Sequence, residues 1–362
     1  MLPYILVFSI IFSMSLVFDL FSNKILKIFS LLIILLSITY LYFFRDYSVG
    51  KDTYEYVRFF SEIINLNHIG DVIAYSQNNN IEYGFALIIY LFSFLTYPPA
   101  FFAFFAFISY FNLLVFACYL RVNLTLYILL FFSVSNYFLT SFNILRQNIA
   151  LSFVILSLIY LFKEKKGIFV FFVFIASFFH YTSLVALFFL PIYYYRERLY
   201  NKSYYLMILF FFTYYLIMNF VLMRLDKYLF YLESDSVTNK LSWFLVFFHI
   251  LIYIISVIFL KLKGIIKDQM KFFLIINSIF LGFLMAYQLF EITNQGIFRV
   301  LYYFMWASNL CLLYLLSLFC LKNRIILNIL VFLILIIYQI YLIIYSGQNF
   351  YPYQYNAMLS FL

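Results

Sequence analysis

Residues 325–345 read IILNILVFLILIIYQIYLIIY, a run without a single charged side chain. A helix needs about 20 mainly apolar residues to cross the ~30 Å hydrocarbon layer of a bilayer. Runs of the same kind fill residues 2–18 (LPYILVFSIIFSMSLVF) and 28–44 (IFSLLIILLSITYLYFF). The three runs predict membrane-spanning helices at both ends of the chain.

The composition extends this prediction to the whole chain. Of its 362 residues 67% are hydrophobic and only 10% are charged, which is too apolar for a water-soluble domain. No linker, repeat or soluble domain is visible, and no small-residue cleavage site follows the first run. We therefore expect an all-α, polytopic bundle that forms one integral membrane domain over residues 1–362.

The basic residues indicate how the chain is oriented in the membrane. The net charge of +9 is not a nucleic-acid signature here, because Lys and Arg occur mostly in short loops between apolar runs, and such loops mark the cytoplasmic side. These loops are Lys24 with Lys27, Arg121, residues 163–166, residues 196–202, residues 261–271, and Lys322 with Arg324. The polar insertion at 45–82 is then predicted to be extracytoplasmic.

Two segments are too short to cross the membrane in the simple way. Glu82 is predicted outside and Lys163 in the cytoplasm, so an odd number of crossings must lie between them. To keep that number odd, we interpret the short apolar stretch 83–97, which ends near Pro98 and Pro99, as a re-entrant segment that does not cross. Residues 167–195 lie between two basic loops and must turn near HYTS at 180–183. The prediction is about twelve crossings plus one re-entrant segment, with both termini outside.

On this topology the unusual polar residues collect on the outer side. The insertion begins RDYSVGKDTYEYVRFF at residue 45, and the candidate residues are Lys51, Asp52, Tyr54, Glu55, Arg58, Glu82, Arg146, Gln147, His180 and Arg299. Aromatic faces stack on sugars, carboxylates bind or deprotonate hydroxyls, and guanidinium groups match phosphate oxygens. The pattern predicts a site for sugars and a phosphate.

Each candidate also has a purely structural interpretation. Arg146 and Arg299 open apolar segments, where an arginine can simply extend toward the lipid headgroups. His180 could be satisfied by its neighbours at 181–183, and Glu82 could cap the helix that follows it. Residues 51–58 could form an amphipathic helix lying on the membrane. The sequence leaves these alternatives open.

Several classes of chemistry are missing from the sequence. There is no phosphate-binding loop and no H-E-x-x-H or G-x-S-x-G motif, so an ATP-driven pump is excluded. No Asp-x-Asp pair is present, and the cysteines have no metal-like spacing. We expect a metal-independent reaction without a cofactor, in which arginine or lysine neutralises a phosphate leaving group.

Five stretches together resemble the EpsG family, whose members are similar to bacterial Wzy-type polysaccharide polymerases. They are VGKDTYEYVRFF at 49–60, IEYGFALIIYLFS at 81–93, FNILRQNIALSFVILSLIYL at 142–161, ASFFHYTSLVALFFLPIY at 176–193 and GIFRVLYYF at 296–304. The resemblance covers most of the chain. Residues that match the family pattern are Asp52, Tyr54, Glu82, Arg146, Gln147 and His180.

The resemblance implies a multi-pass protein of the bacterial cytoplasmic membrane. Such proteins join oligosaccharide repeat units carried on undecaprenyl pyrophosphate, on the outer face, with a chain-length regulator and a flippase as further partners. Arg146 and Arg299 would meet the pyrophosphate, and Glu82, Asp52 or His180 would be the base, with Glu82 favoured. The product could be O antigen of lipopolysaccharide, capsule or exopolysaccharide.

Two other functions fit the same outline. A lipid-linked oligosaccharide flippase or another secondary transporter is also apolar and basic inside, but should show symmetrical broken helices in two halves. A glycan ligase, which transfers a finished chain once, is chemically similar to a polymerase. The one-sided polar residues favour glycosyl transfer over transport.

Overall fold

The structure is a computed structural model. It describes residues 2–94, 97–134, 137–224, 243–263, 268–289, 295–317, 321–345, 349–351 and 353–354. The chain divides into two compact units, Met1–Leu184 with Leu321–Leu362 and Val185–Cys320. Each unit is described by itself below.

Helices form nearly all of the first unit. They are α1 Leu2–Leu20, α2 Lys24–Phe43, α3 Thr53–Ile63, α4 Ile69–Asn78, α5 Tyr83–Leu91, α6 Pro98–Leu120, α7 Leu124–Leu129, α8 Tyr137–Asn143, α9 Leu145–Phe162 and α10 Lys166–Phe179, with the C-terminal helix Leu321–Tyr345. A π-helical turn, Leu130–Val134, follows α7, and a 3₁₀ helix, Tyr181–Phe188, follows α10.

The second unit is helical as well. Its helices are Phe189–Tyr194, Arg196–Tyr200, Ser203–Arg224, Trp243–Lys263, Asp268–Leu289 and Gln295–Leu316. Gly282 lets two of them cross closely, because a Cβ there would lie 2.3 Å from the carbonyl oxygen of Met207. Arg196 pairs with Asp268 at 2.6 Å, and Lys271 pairs with Glu197 at 2.7 Å. These ion pairs join the predicted basic loops 196–202 and 261–271.

The all-helical membrane architecture predicted from the sequence is confirmed in outline. Within the described residues 6 helices are long and apolar enough to cross a membrane, or up to 7 if the bent pair formed by Leu124–Phe132 and Tyr137–Asn143 is one span. The six are Leu2–Leu20, Lys24–Phe43, Pro98–Leu120, Leu145–Phe162, Asp268–Leu289 and Arg299–Leu316. Five shorter apolar helices accompany them. The predicted count of twelve crossings is not confirmed.

In the first unit the basic loops lie together at one end. The Asp19 carboxylate, near the end of α1, accepts hydrogen bonds from the backbone N–H groups of Leu124 and Thr125, both at 2.9 Å. These bonds bring α1 beside the start of α7. The Lys163 ammonium, just after α9, lies 5.2 Å from the ring centroid of Tyr119 near the end of α6.

The polar insertion lies toward the opposite end of this unit. Helix α9 has 18 residues and is therefore about 27 Å long, with Arg146 in its first turn and Lys163 just after its end. Helix α2 runs from Lys24 to Phe43, so it likewise carries the chain away from the basic end before Arg45. The arrangement separates the basic loops from the candidate polar residues.

Both short segments singled out in the sequence are helix interruptions. Helix α5 has 9 residues, so it is about 14 Å long and cannot cross a bilayer alone. Helix α10 ends at Phe179, and His180 has extended backbone dihedrals before the 3₁₀ helix begins at Tyr181. Both breaks are places where irregular backbone presents a polar side chain. Re-entry of α5 into the membrane stays a prediction.

Candidate active site

Three helix ends bring Glu82, Arg146 and His180 together in the first unit. Glu82 directly precedes α5, Arg146 is in the first turn of α9, and His180 directly follows α10. One Glu82 carboxylate oxygen, Oε2, accepts a hydrogen bond from Nη1 of Arg146. The other, Oε1, lies 2.7 Å from Nδ1 of His180. A single carboxylate therefore bridges a guanidinium and an imidazole.

A glycine makes this contact possible. At Gly84, two residues after Glu82, a Cβ would lie 2.4 Å from Cβ of Phe178 and 2.8 Å from its carbonyl oxygen. Only glycine permits α5 to approach the end of α10 this closely. The side chains of Glu82 and His180, each two residues along the chain from this contact, then meet.

The site is shielded from solvent. Glu82 is 6% exposed and His180 is 9% exposed, whereas the Arg146 side chain remains 21% exposed. Phe85 lies beside the guanidinium, with its ring centroid 5.8 Å from Cζ of Arg146. Arg146 also hydrogen-bonds to the side chain of Tyr56, which is buried. The partly open side of Arg146 is thus the accessible edge of a largely buried charge cluster.

Glu82 is ionised in this environment. Burial by itself would raise its pKa, but the hydrogen bond with His180 and the positive charge of Arg146 outweigh burial and hold the pKa below its usual value. An ionised carboxylate can only accept hydrogen bonds, so Nδ1 of His180 must carry the proton between them. In the neutral ring Nε2 then carries a lone pair.

Nε2 is the second ring nitrogen of His180. It is buried, and among the residues that the structure describes it has no hydrogen-bond partner. Nearby, the hydroxyl oxygens of Thr182 and Ser183 are also buried without a partner in the described part of the chain. Buried polar atoms usually have partners, so these atoms mark a place that suits a polar ligand.

The structure bears on the structural alternatives for these three residues. Glu82 occupies the N-cap position of α5, but its side chain makes no capping hydrogen bond. Arg146 has a carboxylate partner inside the protein rather than only a lipid interface. The imidazole of His180 pairs with Glu82. Gln147, the next candidate along α9, is buried.

The other predicted site residues lie before or on α3 in the polar insertion, or in the second unit. On α3 Glu55 and Arg58 pair with each other at 2.6 Å on an exposed face, and Tyr54 is 61% exposed. Lys51 is exposed, and Asp52 is partly buried at the start of α3. Arg299 belongs to the second unit, in Gln295–Leu316, and the turn before it lies outside the described residues. Their roles in binding or catalysis stay predictions.

Two residues of the site were not among the predicted site residues. Tyr56 stands on α3 between candidate residues, but only the fold shows that its buried side faces Arg146. Gly84 was not singled out, because the sequence does not show which backbone approaches this glycine. Within the described ranges no group of three His, Cys, Asp or Glu side chains could hold a metal ion. Metal independence stays a prediction.

Comparison with known proteins gives one match. The chain matches the EpsG family over residues 32–355, a range that contains every residue of the cluster described above. No curated protein and no solved structure matches it. The matched range is nearly the whole chain, so the protein belongs to the EpsG family, whose members are Wzy-like polysaccharide polymerases.

Proposed function

We propose that this protein joins oligosaccharide repeat units carried on undecaprenyl pyrophosphate. The observation that carries the proposal is the bridge that Glu82 makes between Arg146 and His180. Through Glu82, an imidazole whose Nε2 has no partner among the described residues is linked to a guanidinium whose side chain is partly exposed. Glycosyl transfer from a pyrophosphate needs both groups, a base for the acceptor hydroxyl and a cation for the leaving group.

The proposed step begins with the acceptor sugar. Nε2 of His180 removes the hydroxyl proton while the oxygen attacks the anomeric carbon of the donor. The bond from that carbon to the pyrophosphate oxygen breaks, and the electron pair leaves with the lipid pyrophosphate. The reaction passes through an oxocarbenium-like state, as other glycosyl transfers do. The new glycosidic bond lengthens the glycan by one repeat unit.

Glu82 orients the base in this scheme. The sequence favoured Glu82 itself as the base, but both of its carboxylate oxygens are engaged, one by Arg146 and one by His180. A carboxylate on Nδ1 fixes the tautomer and stabilises the imidazolium that forms when Nε2 takes the proton, the logic of a catalytic triad. We therefore assign proton transfer to His180 and positioning to Glu82. Asp52 remains a candidate through its place in the insertion.

Arg146 connects the base to the leaving group. One of its nitrogens is bound to Glu82, and its partly exposed side leaves other N–H donors for phosphate oxygens. We propose that Gln147 contributes a further donor, and Arg299, in the second unit, stays a predicted phosphate ligand. The exposed residues Lys51, Tyr54, Glu55 and Arg58 of the insertion suit contacts to the glycan at the entrance.

We place this site on the outer face of the bacterial cytoplasmic membrane. The basic loops of the first unit gather at the end away from Glu82, and basic loops generally stay in the cytoplasm. About twelve crossings in a single membrane domain, with the short apolar helices counted among them, suit this orientation. A chain-length regulator and a flippase are the partners that we expect.

An assay with purified protein in bilayers tests the proposal. Undecaprenyl-pyrophosphate-linked repeat units from the host are added, and the products are separated on a gel. The proposal predicts a ladder of glycans that differ by one repeat unit. A single transferred unit would indicate a ligase instead, and an unchanged substrate would indicate a transporter.

A further inference from the structure

Arg45 is a second arginine at the same end of the first unit. It stands two residues after α2 ends and is 0% exposed. Three aromatic rings enclose its guanidinium, with centroids 5.3 Å away for Tyr42, 4.6 Å for Phe102 and 5.0 Å for Phe142. The aromatic faces favour a cation but offer no hydrogen-bond acceptor in its plane.

Most of the hydrogen-bonding capacity of Arg45 is unused. Nη1 donates to the carbonyl oxygen of Phe142 at 3.2 Å. Nε and Nη2 are buried without a hydrogen-bond partner among the residues that the structure describes. These two atoms carry the parallel N–H bonds of one guanidinium edge, the fork that binds two oxygens of a carboxylate or phosphate.

Burying the Nε–Nη2 edge of Arg45 without a hydrogen-bond partner lowers the stability of the fold, which is unexpected for a residue with only a structural role. Burial lowers the pKa of Arg45 to about 10, so the group is still a cation at neutral pH. A buried cation normally pairs with a carboxylate, and within the described residues none is bonded to Arg45. Aromatic rings surround the guanidinium. Its Nε–Nη2 edge has no hydrogen-bond partner among the described residues and could bind an anion.

Arg45 is linked to the candidate active site. The carbonyl that it contacts, on Phe142, precedes Arg146 by four residues at the junction of α8 and α9. Tyr56, which hydrogen-bonds to Arg146, is also an electrostatic neighbour of Arg45. Glu82 is the carboxylate that binds Arg146, and among the described residues no carboxylate binds Arg45. The excess positive charge suits an anionic ligand.

We infer that the Nε–Nη2 edge of Arg45 binds phosphate oxygens of the lipid-linked pyrophosphate donor, as a second cation beside Arg146. The inference rests on the proposed function. The loop after Arg45 would have to shift to admit the ligand, because Asp46 N–H donates to the Gln354 carbonyl at 2.8 Å and Gly50 N–H donates to the Asn349 carbonyl at 3.0 Å. Backbone contacts of this kind can open without disrupting the helices.

Binding of inorganic pyrophosphate to the purified protein in nanodiscs, measured by calorimetry, tests the inference. We expect Arg45→Gln to weaken binding about 10-fold to 100-fold, since hydrogen bonds to a charged group are lost. Arg45→Lys should also bind less tightly, because lysine keeps the charge without the fork. Arg198→Gln, which changes an exposed arginine of the second unit, is the matched control and should bind as the wild type does.

Wild-type affinity in a folded Arg45→Gln protein would overturn the inference. If both Arg45 variants fail to fold, a cryo-EM map of the wild-type protein with pyrophosphate decides. Phosphate oxygens within hydrogen-bonding distance of Nε and Nη2 support the inference, and binding elsewhere overturns it. Pyrophosphate binding is measured without polymerisation, so the inference can fail while the wild-type protein still forms a glycan ladder. If Arg45 binds pyrophosphate but the wild-type protein forms no ladder, only the proposed function is contradicted.

Discussion

His180 and Glu82 are 98 positions apart in the chain, yet Nδ1 of His180 lies 2.7 Å from Oε1 of Glu82. The other oxygen of the same carboxylate binds Arg146. The proposed function gives the three side chains different tasks. In that proposal Glu82 holds the proton on Nδ1, the hydrogen bond from His180 and the charge of Arg146 keep Glu82 ionised, and Nε2 of His180 accepts a proton.

The first prediction concerns Arg146. Arg146→Lys keeps the positive charge but removes the planar group that can bind Glu82 and a phosphate together. We expect polymer formation to fall by about 100-fold, the order found when an electrostatic donor is lost from an active site. Polymer length and amount on a gel, with the protein level in membranes as the control, measure this. Near-normal polymer would mean that Arg146 only anchors its helix.

Acid stability should depend on Glu82. Its pKa is lowered in the folded protein from an ordinary value of 4.5, so it contributes stability above about pH 4.5 that is lost as the pH falls through the folded-state pKa. Thermal unfolding of the wild type and of Glu82→Gln between pH 3 and pH 7 checks this. The melting temperatures of the two proteins should differ most near neutral pH and converge in acid. A constant difference across this range would contradict an ionised Glu82.

Gly84→Ala should separate Glu82 from His180. The added Cβ would meet Cβ and backbone atoms of Phe178, so α5 must move away from α10. We expect lower thermal stability, by the 1–3 kcal/mol typical of overpacking, and severe loss of polymer. Gly167→Ala is the control, because nothing lies within 4 Å of a Cβ there. Equal behaviour of the two variants would show that the close approach of α5 and α10 is dispensable.

The sequence predicted more of the fold class than of the site. Apolar runs near the length of a bilayer predict spans such as Lys24–Phe43 directly, because burial in lipid demands continuous hydrophobicity. The short helices were harder, since α5 and the 3₁₀ helix Tyr181–Phe188 are set by packing against neighbours and not by their own composition.

Within the site, the polar residue types pointed to Glu82, Arg146 and His180 before their contacts were known. Their pairing could not be predicted, because it depends on where α5 meets α10 at Gly84. Nor could the sequence separate a base from the residue that orients it. That distinction comes from which atoms of Glu82 and His180 already have partners.

Labelling of cysteines tests the orientation of the first unit. Single cysteines at the exposed positions Lys51 and Asn78 should react with a membrane-impermeant maleimide in intact cells, whereas one at Lys165 should react only after lysis. The native Cys118 is exposed and is first replaced by serine. Labelling of Lys165→Cys in intact cells, with protection of Lys51→Cys, would put the site on the cytoplasmic face.

The measurement that tests the central claim most directly compares His180→Asn with the wild type in the bilayer assay. The asparagine amide can still donate a hydrogen bond toward Glu82, as Nδ1 does, but it offers nothing in place of Nε2. The account predicts a folded protein that binds lipid-linked repeat units normally and forms polymer at least about 100-fold more slowly. A wild-type rate of ladder formation by His180→Asn would contradict the assignment of Nε2 as the base.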